Sequence, residues 1–413
     1  MRQFNRGLDW ESVKAFLNPP TTGPLFPNLR ILRCIYTENT LPLLRLPLPS
    51  LHYLFASFKN PYLLLDSLES FPEIYPNIRR VSFHVVQPDV AFSKLISNCI
   101  CRWRNLQWVA CREITLDADA LIHLSHTDIT QLFFTLSTTL PVSDSSLVFS
   151  NLHNLTVQSE SLESISRLLY QARLPAIMDF GAFIHNCPVR SDLTSFLAGV
   201  PTSNASHTLE TLQLKHSDHL FGIGLRSEAR PLMFEDLQPC MVFRNLRNVE
   251  LDIAWNVGLT DFQVLTLASA WPKLEDLKIN EQWGWGWNSR AGGITPGGLI
   301  QLLETCRSLR RICLRLDTQG YIAVPTGQVP ASIGLMLPNL YSINALDSPI
   351  EAESVIAMAT FFCGIAACSQ ADFTFFCWGE IPMTDFPNWQ EYEKRWDHVY
   401  DRFTEALGRC NDE

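Results

Sequence analysis

Asn245-Leu246-Arg247-Asn248-Val249-Glu250-Leu251 is the stretch that decides the fold. Its apolar residues stand three and then two places apart, and that spacing returns along the chain. The leading apolar residue falls at Leu29, Leu51, Ile78, Leu106, Ile129, Leu152, Ile177, Leu209, Leu246, Leu274, Leu309 and Leu340. The two followers come three and five places later, as in Leu54 and Ala56, Val81 and Phe83, Leu212 and Leu214, or Leu277 and Ile279. The copy at Ile177, followed by Phe180 and Ala182, is the weakest of the set.

Side chains of a strand alternate between its faces, so the two followers point to the same side. A lone strand cannot bury that side, whereas stacked copies can, and each buried Leu or Val then adds on the order of 1.5–3 kcal/mol. Steps between copies average about 28 residues and range from about 22 (Leu29 to Leu51) to about 37 (Leu209 to Leu246), the period of leucine-rich repeats. The predicted fold is therefore α/β: a leucine-rich-repeat solenoid curved like a horseshoe, of about twelve strand-loop-helix units.

Composition agrees. At 413 residues, 46% hydrophobic and 18% charged, the chain has the apolar content for one long array with a continuous core. The net charge of −10 and the lack of a Lys/Arg run argue against nucleic acid or an anionic membrane as a partner. Twelve cysteines, several at core positions such as Cys34, Cys111 and Cys313, and a polar N-terminus without an apolar signal core fit reduced thiols in a cytoplasmic or nuclear protein, expected as a monomer. The apolar uncharged run 354–370, broken by Ser354, Thr360, Ser369 and Gln370, is too short to span a bilayer.

In chain order, residues 1–24 read as a lead-in, with Trp10, Val13, Phe16 and Leu17 at helical spacing before Asn18-Pro19-Pro20. The solenoid is expected over 25–380. Helices are expected over 89–101 and 117–126, and a helical stripe at Leu162, Ile165 and Leu169 sits in an otherwise weak stretch, 159–200. Residues 221–238 read as a long loop. Thr260 with Gln263 forms a capping box opening a helix to Ala270, and Thr295-Pro296 starts another to Cys306. A helix over 351–367, a last strand over 373–378 and a capping segment over 381–413 close the chain. Trp389, Tyr392, Trp396, Val399 and Phe403 line one face of that final helix.

Residues between the core positions of each strand are expected on the concave face, as a ladder. Early copies place Tyr53, Phe55, Arg80, His84, Trp108, Arg112 and Phe133 there; later copies place Glu250, Asp252, Asp276, Lys278, Arg311 and Arg315. Aromatic residues and Arg dominate binding hot spots, which makes this ladder the first candidate for a partner site. The second is the loop carrying Trp283, Trp285 and Trp287, which is either an exposed adhesive patch or a flap folded over the core. No catalytic, cofactor or metal site is expected: the pairs His123/His126 and His216/His219 lack partners at zinc spacing, and Gly222-x-Gly224 does not complete a dinucleotide loop. Glu250 and Asp252 are the one conceivable acid–base pair, with charge complementarity to a partner as the alternative role.

Phe26-Pro27-Asn28-Leu29-Arg30, Trp271-Pro272-Lys273-Leu274-Glu275 and Cys306-Arg307-Ser308-Leu309-Arg310 resemble the leucine-rich-repeat part of F-box proteins, in the style of the large families of mushroom-forming fungi. That resemblance extends from about Leu25 to the final Trp- and Tyr-rich helix. It implies a substrate-recognition repeat domain of a ubiquitin ligase receptor, in which an N-terminal F-box module binds the adaptor Skp1. Only 27 residues precede the first phrase here, so Skp1 is expected as a partner only if an F-box is supplied outside this chain. The alternative is a free-standing repeat scaffold or inhibitor unrelated to ubiquitin.

Overall fold

The computed structural model describes residues 26–35, 44, 46–58, 68–86, 88–137, 147–203, 207–216, 231–286, 293–319, 321, 337–369, 373–377 and 389–411. The expected lead-in helix lies outside them. A strand begins two residues after the leading position of each phrase, including the weak copy at Ile177. The turn before it is set by the residue three places earlier: the carbonyls of Phe26, Leu48, Tyr75, Phe243, Trp271 and Cys306 each accept the N–H of the leading Leu or Ile. The chain thus bends at an apolar or aromatic residue, buries the leader and leaves as a strand. Pairing is parallel and one phrase apart, as in a leucine-rich-repeat array.

The chain forms two compact units, 1–160 with 167–177, and 161–166 with 178–413. In the first unit, β1 (Ile31–Ile35), β2 (Tyr53–Phe58), β3 (Arg80–Val85), β4 (Trp108–Leu116) and β5 (Gln131–Leu136) pair in sequence. The short β6 (Leu147–Val148) stands outside this sheet, and β7 (Asn154–Ser159) pairs with β5. The inward residues Val81, Phe83, Val109 and Cys111 are buried, as are Phe92, Ile96 and Ile100 of the helix that follows β3. After a one-turn helix, α1 (Phe71–Ile74), the helices are α2 (Val90–Arg102) and α3 (Ala118–Ser125), started by Asp89 and Asp117 accepting the N–H of Phe92 and Ala120. Neighbouring copies are also stitched at their corners. Tyr75 Oη donates to Leu44 O (2.7 Å), Trp103 Nε1 to Tyr75 O (3.1 Å), and His123 Nε2 lies 3.0 Å from Trp103 O.

Strand, loop and helix do not alternate throughout. Between β5 and β7 the described residues hold β6, which pairs with β8 (Ala172–Arg173) at the end of α4 (Leu162–Gln171). The weak stretch near residue 200 contains α5 (Arg190–Thr202), whose Leu193, Phe196, Leu197 and Val200 are buried at i, i+3, i+4 and i+7. It lacks a side-chain cap at Val189 and carries Gly199 and Pro201, which obscured it. The expected loop over 221–238 ends in a one-turn helix, α6 (Phe234–Leu237).

In the second unit β9 (Asp179–Ile184), β10 (Thr211–His216), β11 (Asn248–Asp252), β12 (Asp276–Ile279), β13 (Arg311–Cys313), β14 (Ser342–Asn344) and β15 (Thr374–Phe376) follow in order. Gln263 Oε1 accepts the N–H of Thr260 at the start of α7 (Asp261–Ala270), and Thr295 Oγ1 accepts that of Gly298 in α8 (Pro296–Thr305). The end is aromatic. Phe362 of α9 (Val355–Cys368) stacks on Phe375 of β15 at 4.4 Å, and Phe375 meets Phe403 of α10 (Trp389–Asn411) edge-on at 5.1 Å. Trp396, Val399 and Phe403 are buried while Glu391, Asp397 and Asp401 face out. No helix among the described residues is long and apolar enough to cross a membrane.

Candidate functional site

Parallel register turns the outward residues of the first unit into three rows. One runs Tyr53, Arg80, Trp108, Gln131; the next runs Arg33, Phe55, Ser82, Ala110, Phe133, Thr156; the third holds Ser57, His84 and Arg112. The middle row decides the relief. Phe55 and Phe133 stand three strands apart, about 14 Å at the usual strand spacing, and between them lie only Ser82 and Ala110. The result is a hollow of about 500 Å³ with a small-residue floor, aromatic walls at Phe55, Trp108 and Phe133, and His84 and Arg112 at one rim. That volume lies within the range of ligand clefts.

The walls are braced. Tyr53 and Trp108 meet edge-on, their ring centres 5.7 Å apart, and the Arg112 guanidinium lies 4.6 Å over the Phe133 ring, with Arg33 5.7 Å over Tyr53. No Asp or Glu occupies an outward position in these rows. Glu113, next to Arg112, sits in a bulge where the register of β4 against β5 shifts, with a left-handed backbone (φ 63°). Among the described residues, no carboxylate forms a salt bridge with Arg33, Arg80 or Arg112.

The second unit's ladder is neutralised from within. Glu250 is held by Lys215 at 2.8 Å and faces Lys278 at 3.9 Å, while Lys278 also binds Glu281. Arg311 takes Asp276 with both ends of its fork, Nε to Oδ1 at 2.8 Å and Nη2 to Oδ2 at 2.5 Å. Among the described residues, no group of His, Cys, Asp and Glu is placed to hold a metal ion.

Asp252, Arg315, Trp283 and Trp285 are not on a partner surface. Asp252 is 1% exposed, accepts the N–H of Gln282, and has its carboxyl pushed up to about 7 chiefly by burial. Its strand position points outward, but the loop after β12 folds over it. Trp285 is fully buried and donates to Ile279 O; Trp283 is 7% exposed and stacks on His216 at 5.3 Å. Both oxygens of Asp347 accept N–H groups of this loop, from Trp285 (2.8 Å) and Gly286 (2.7 Å), and the buried Arg315 donates to Gly286 O. Between the tryptophans, Gly284 has φ +67°, and a Cβ there would meet the Asp347 carboxyl at 2.7 Å. The loop is a flap of the core. Trp287 lies outside the described residues.

Of the sequence candidates, the structure brings Phe55, His84, Trp108, Arg112 and Phe133 together around one hollow, with Tyr53 and Arg80 in the adjoining row. Glu250, Asp276 and Arg311 face out but are occupied by neighbours. Ser82 and Ala110 were missed: a search for large side chains does not notice the small ones that make space between them.

No protein-family model matches the chain, and no curated protein matches its sequence. Among solved structures it is similar to one described as "Crystal structure of Rad7 and Elc1 complex in yeast", at 16% identity over 78% of each chain with a TM-score of 0.42. At that level the likeness carries nothing about partners.

Proposed function

We propose that this chain is a protein-binding leucine-rich-repeat solenoid of twelve copies, the substrate-recognition part of an F-box-type ubiquitin ligase receptor, and that it docks its partner on the outward strand face of the first unit. The hollow between Phe55 and Phe133 carries this reading: it joins aromatic walls and arginines, the residue types that anchor protein partners, on a face that no described residue covers. The role is binding rather than catalysis. The Glu250 carboxylate is engaged by two lysines and Asp252 lies under a loop, so the pair does not present a reacting centre to a substrate. The repeat phrases at Phe26, Trp271 and Cys306 support the F-box assignment.

Affinity capture from cells, with the intact chain beside Trp108→Ala and Phe55→Ala, tests both halves. The expected result is partner capture lost in both variants with folding kept by circular dichroism, and Skp1 recovered when the receptor carries an F-box. Capture that survives both substitutions overturns the docking face. Partners without Skp1, even from a receptor bearing an F-box, would move the protein to a free-standing scaffold.

A further inference from the structure

We infer that the hollow accepts one apolar or aromatic side chain from a partner segment rich in Asp and Glu, an inference that deepens the docking-face reading and rests on it. Shape comes first. Two small residues, Ser82 and Ala110, sit at the centre of a row that ends in Phe55 and Phe133, so the floor can receive a side chain that neither flanking strand supplies. A pocket of this kind at the middle of a face is where interface anchors seat. Its walls are rings, which favour an aromatic or aliphatic guest.

Charge names the flanks of that guest. Arg80 and Arg112 stand on either side of the middle row, Arg33 extends it, and His84 lines the rim beside Arg112. Arg112 and Arg33 are held over aromatic rings, at 4.6 Å and 5.7 Å, and a guanidinium so placed keeps N–H donors for a carboxylate. Glu113, beside Arg112 in the bulge of β4, makes no salt bridge with it among the described residues. The second unit pairs its ladder arginine with its own Asp276; among the described residues the first supplies no such partner, so its arginines are matched by carboxylates brought from outside. A nucleic acid fits less well. Phosphate recognition needs a broad basic footprint, whereas here a few guanidinium groups surround one hollow on a chain of net charge −10.

The test is fluorescence anisotropy of the full chain with a labelled short peptide carrying a central Trp between Glu pairs. Its controls are the same peptide with Gln for Glu, the same peptide with Ser for Trp, and labelled single-stranded DNA. The acidic Trp peptide should bind, and each control peptide should bind roughly ten-fold more weakly or worse. Ala110→Phe, which fills the hollow, should abolish binding without lowering the melting temperature. If that variant melts early, Phe133→Ala removes a wall without adding bulk and should also abolish binding. The double variant Arg80→Gln with Arg112→Gln should bind the acidic and neutral peptides alike.

Equal binding of the acidic and neutral peptides to the parent chain overturns the inference, as does binding that survives both pocket variants or DNA that binds more tightly than the peptide. Capture of the cellular partner separates the two levels. Capture lost in Ala110→Phe but unchanged in the double arginine variant keeps the docking face and sinks the acidic segment; capture unchanged in Ala110→Phe sinks the face itself.

Discussion

The two units build their outward ladders from the same backbone register and end with opposite electrostatics. In the first, Arg33, Arg80 and Arg112 look out from among aromatic residues with no acid in the rows; in the second, Lys215, Glu250, Asp276, Lys278 and Arg311 bind one another. Partly exposed pairs of the second kind are worth on the order of 1 kcal/mol each to the fold and leave little attraction for a visitor. Charges of the first kind do little for the fold, and on the proposed reading their electrostatic complement comes from a partner. A repeat array can therefore carry an internally paired ladder in one stretch and an unpaired one in another without changing its backbone.

Substitutions in the flap over the second ladder put that contrast under the greatest strain. Trp285→Ser should cost about 3–5 kcal/mol in a denaturant titration, since it empties a fully buried site and removes the bond to Ile279 O. A variant as stable as the parent would show that this loop is not core. Asp347→Ala should cost about 2–3 kcal/mol by leaving the N–H groups of Trp285 and Gly286 without their acceptor.

Asp252→Asn should act in the other direction. Burial raises this carboxyl from 3.8 to about 7, Glu250 and Glu281 adding to the rise and Lys215 and the Gln282 N–H opposing it. Between those pH values the folded state holds a proton that the unfolded state has released, so the group lowers stability progressively as pH rises and in full above 7. The Asn variant should melt higher above pH 7, by an amount on the order of 1–2 kcal/mol, and match the parent below pH 3.8. Calorimetry at both ends of that window reads it, and a gain independent of pH would remove Asp252 as the cause.

Arg311→Ala should cost about 0.5–1 kcal/mol, because its fork to Asp276 is partly solvated. The smallest change belongs to the first unit. Arg112→Gln should shift stability by no more than about 0.5 kcal/mol, as the side chain is exposed. A large loss of stability there would place Arg112 in the self-supporting class and erase the contrast between the ladders.

The periodic part of the molecule was readable because each strand start depends on residues a few places away. The leading Leu, the apolar or aromatic residue three before it, and caps such as Asp89, Asp117 and Thr295 all act locally. Arg190–Thr202 was obscured at the same level, its apolar stripe being present but its start uncapped. What alternation does not encode is which loop lies on which strand. Asp252 and Arg315 occupy outward positions and are nonetheless buried, because the tryptophan loop is drawn down by Asp347 from more than sixty residues downstream. The hollow hid for another reason: Ser82 and Ala110 contribute by what they lack, and their meaning appears only once Phe55 and Phe133 are set beside them in register.

The corner bonds have a mechanical consequence. Tyr75 hangs on Leu44, Trp103 on Tyr75, His123 on Trp103, and in the second unit Trp271 on Cys240, each tying one copy to the copy before it. Under tension such links are loaded in series. Stretched from its ends in an optical trap, either unit should lengthen as a sawtooth, each tooth releasing one phrase of about 28 residues, or about 100 Å of extended chain.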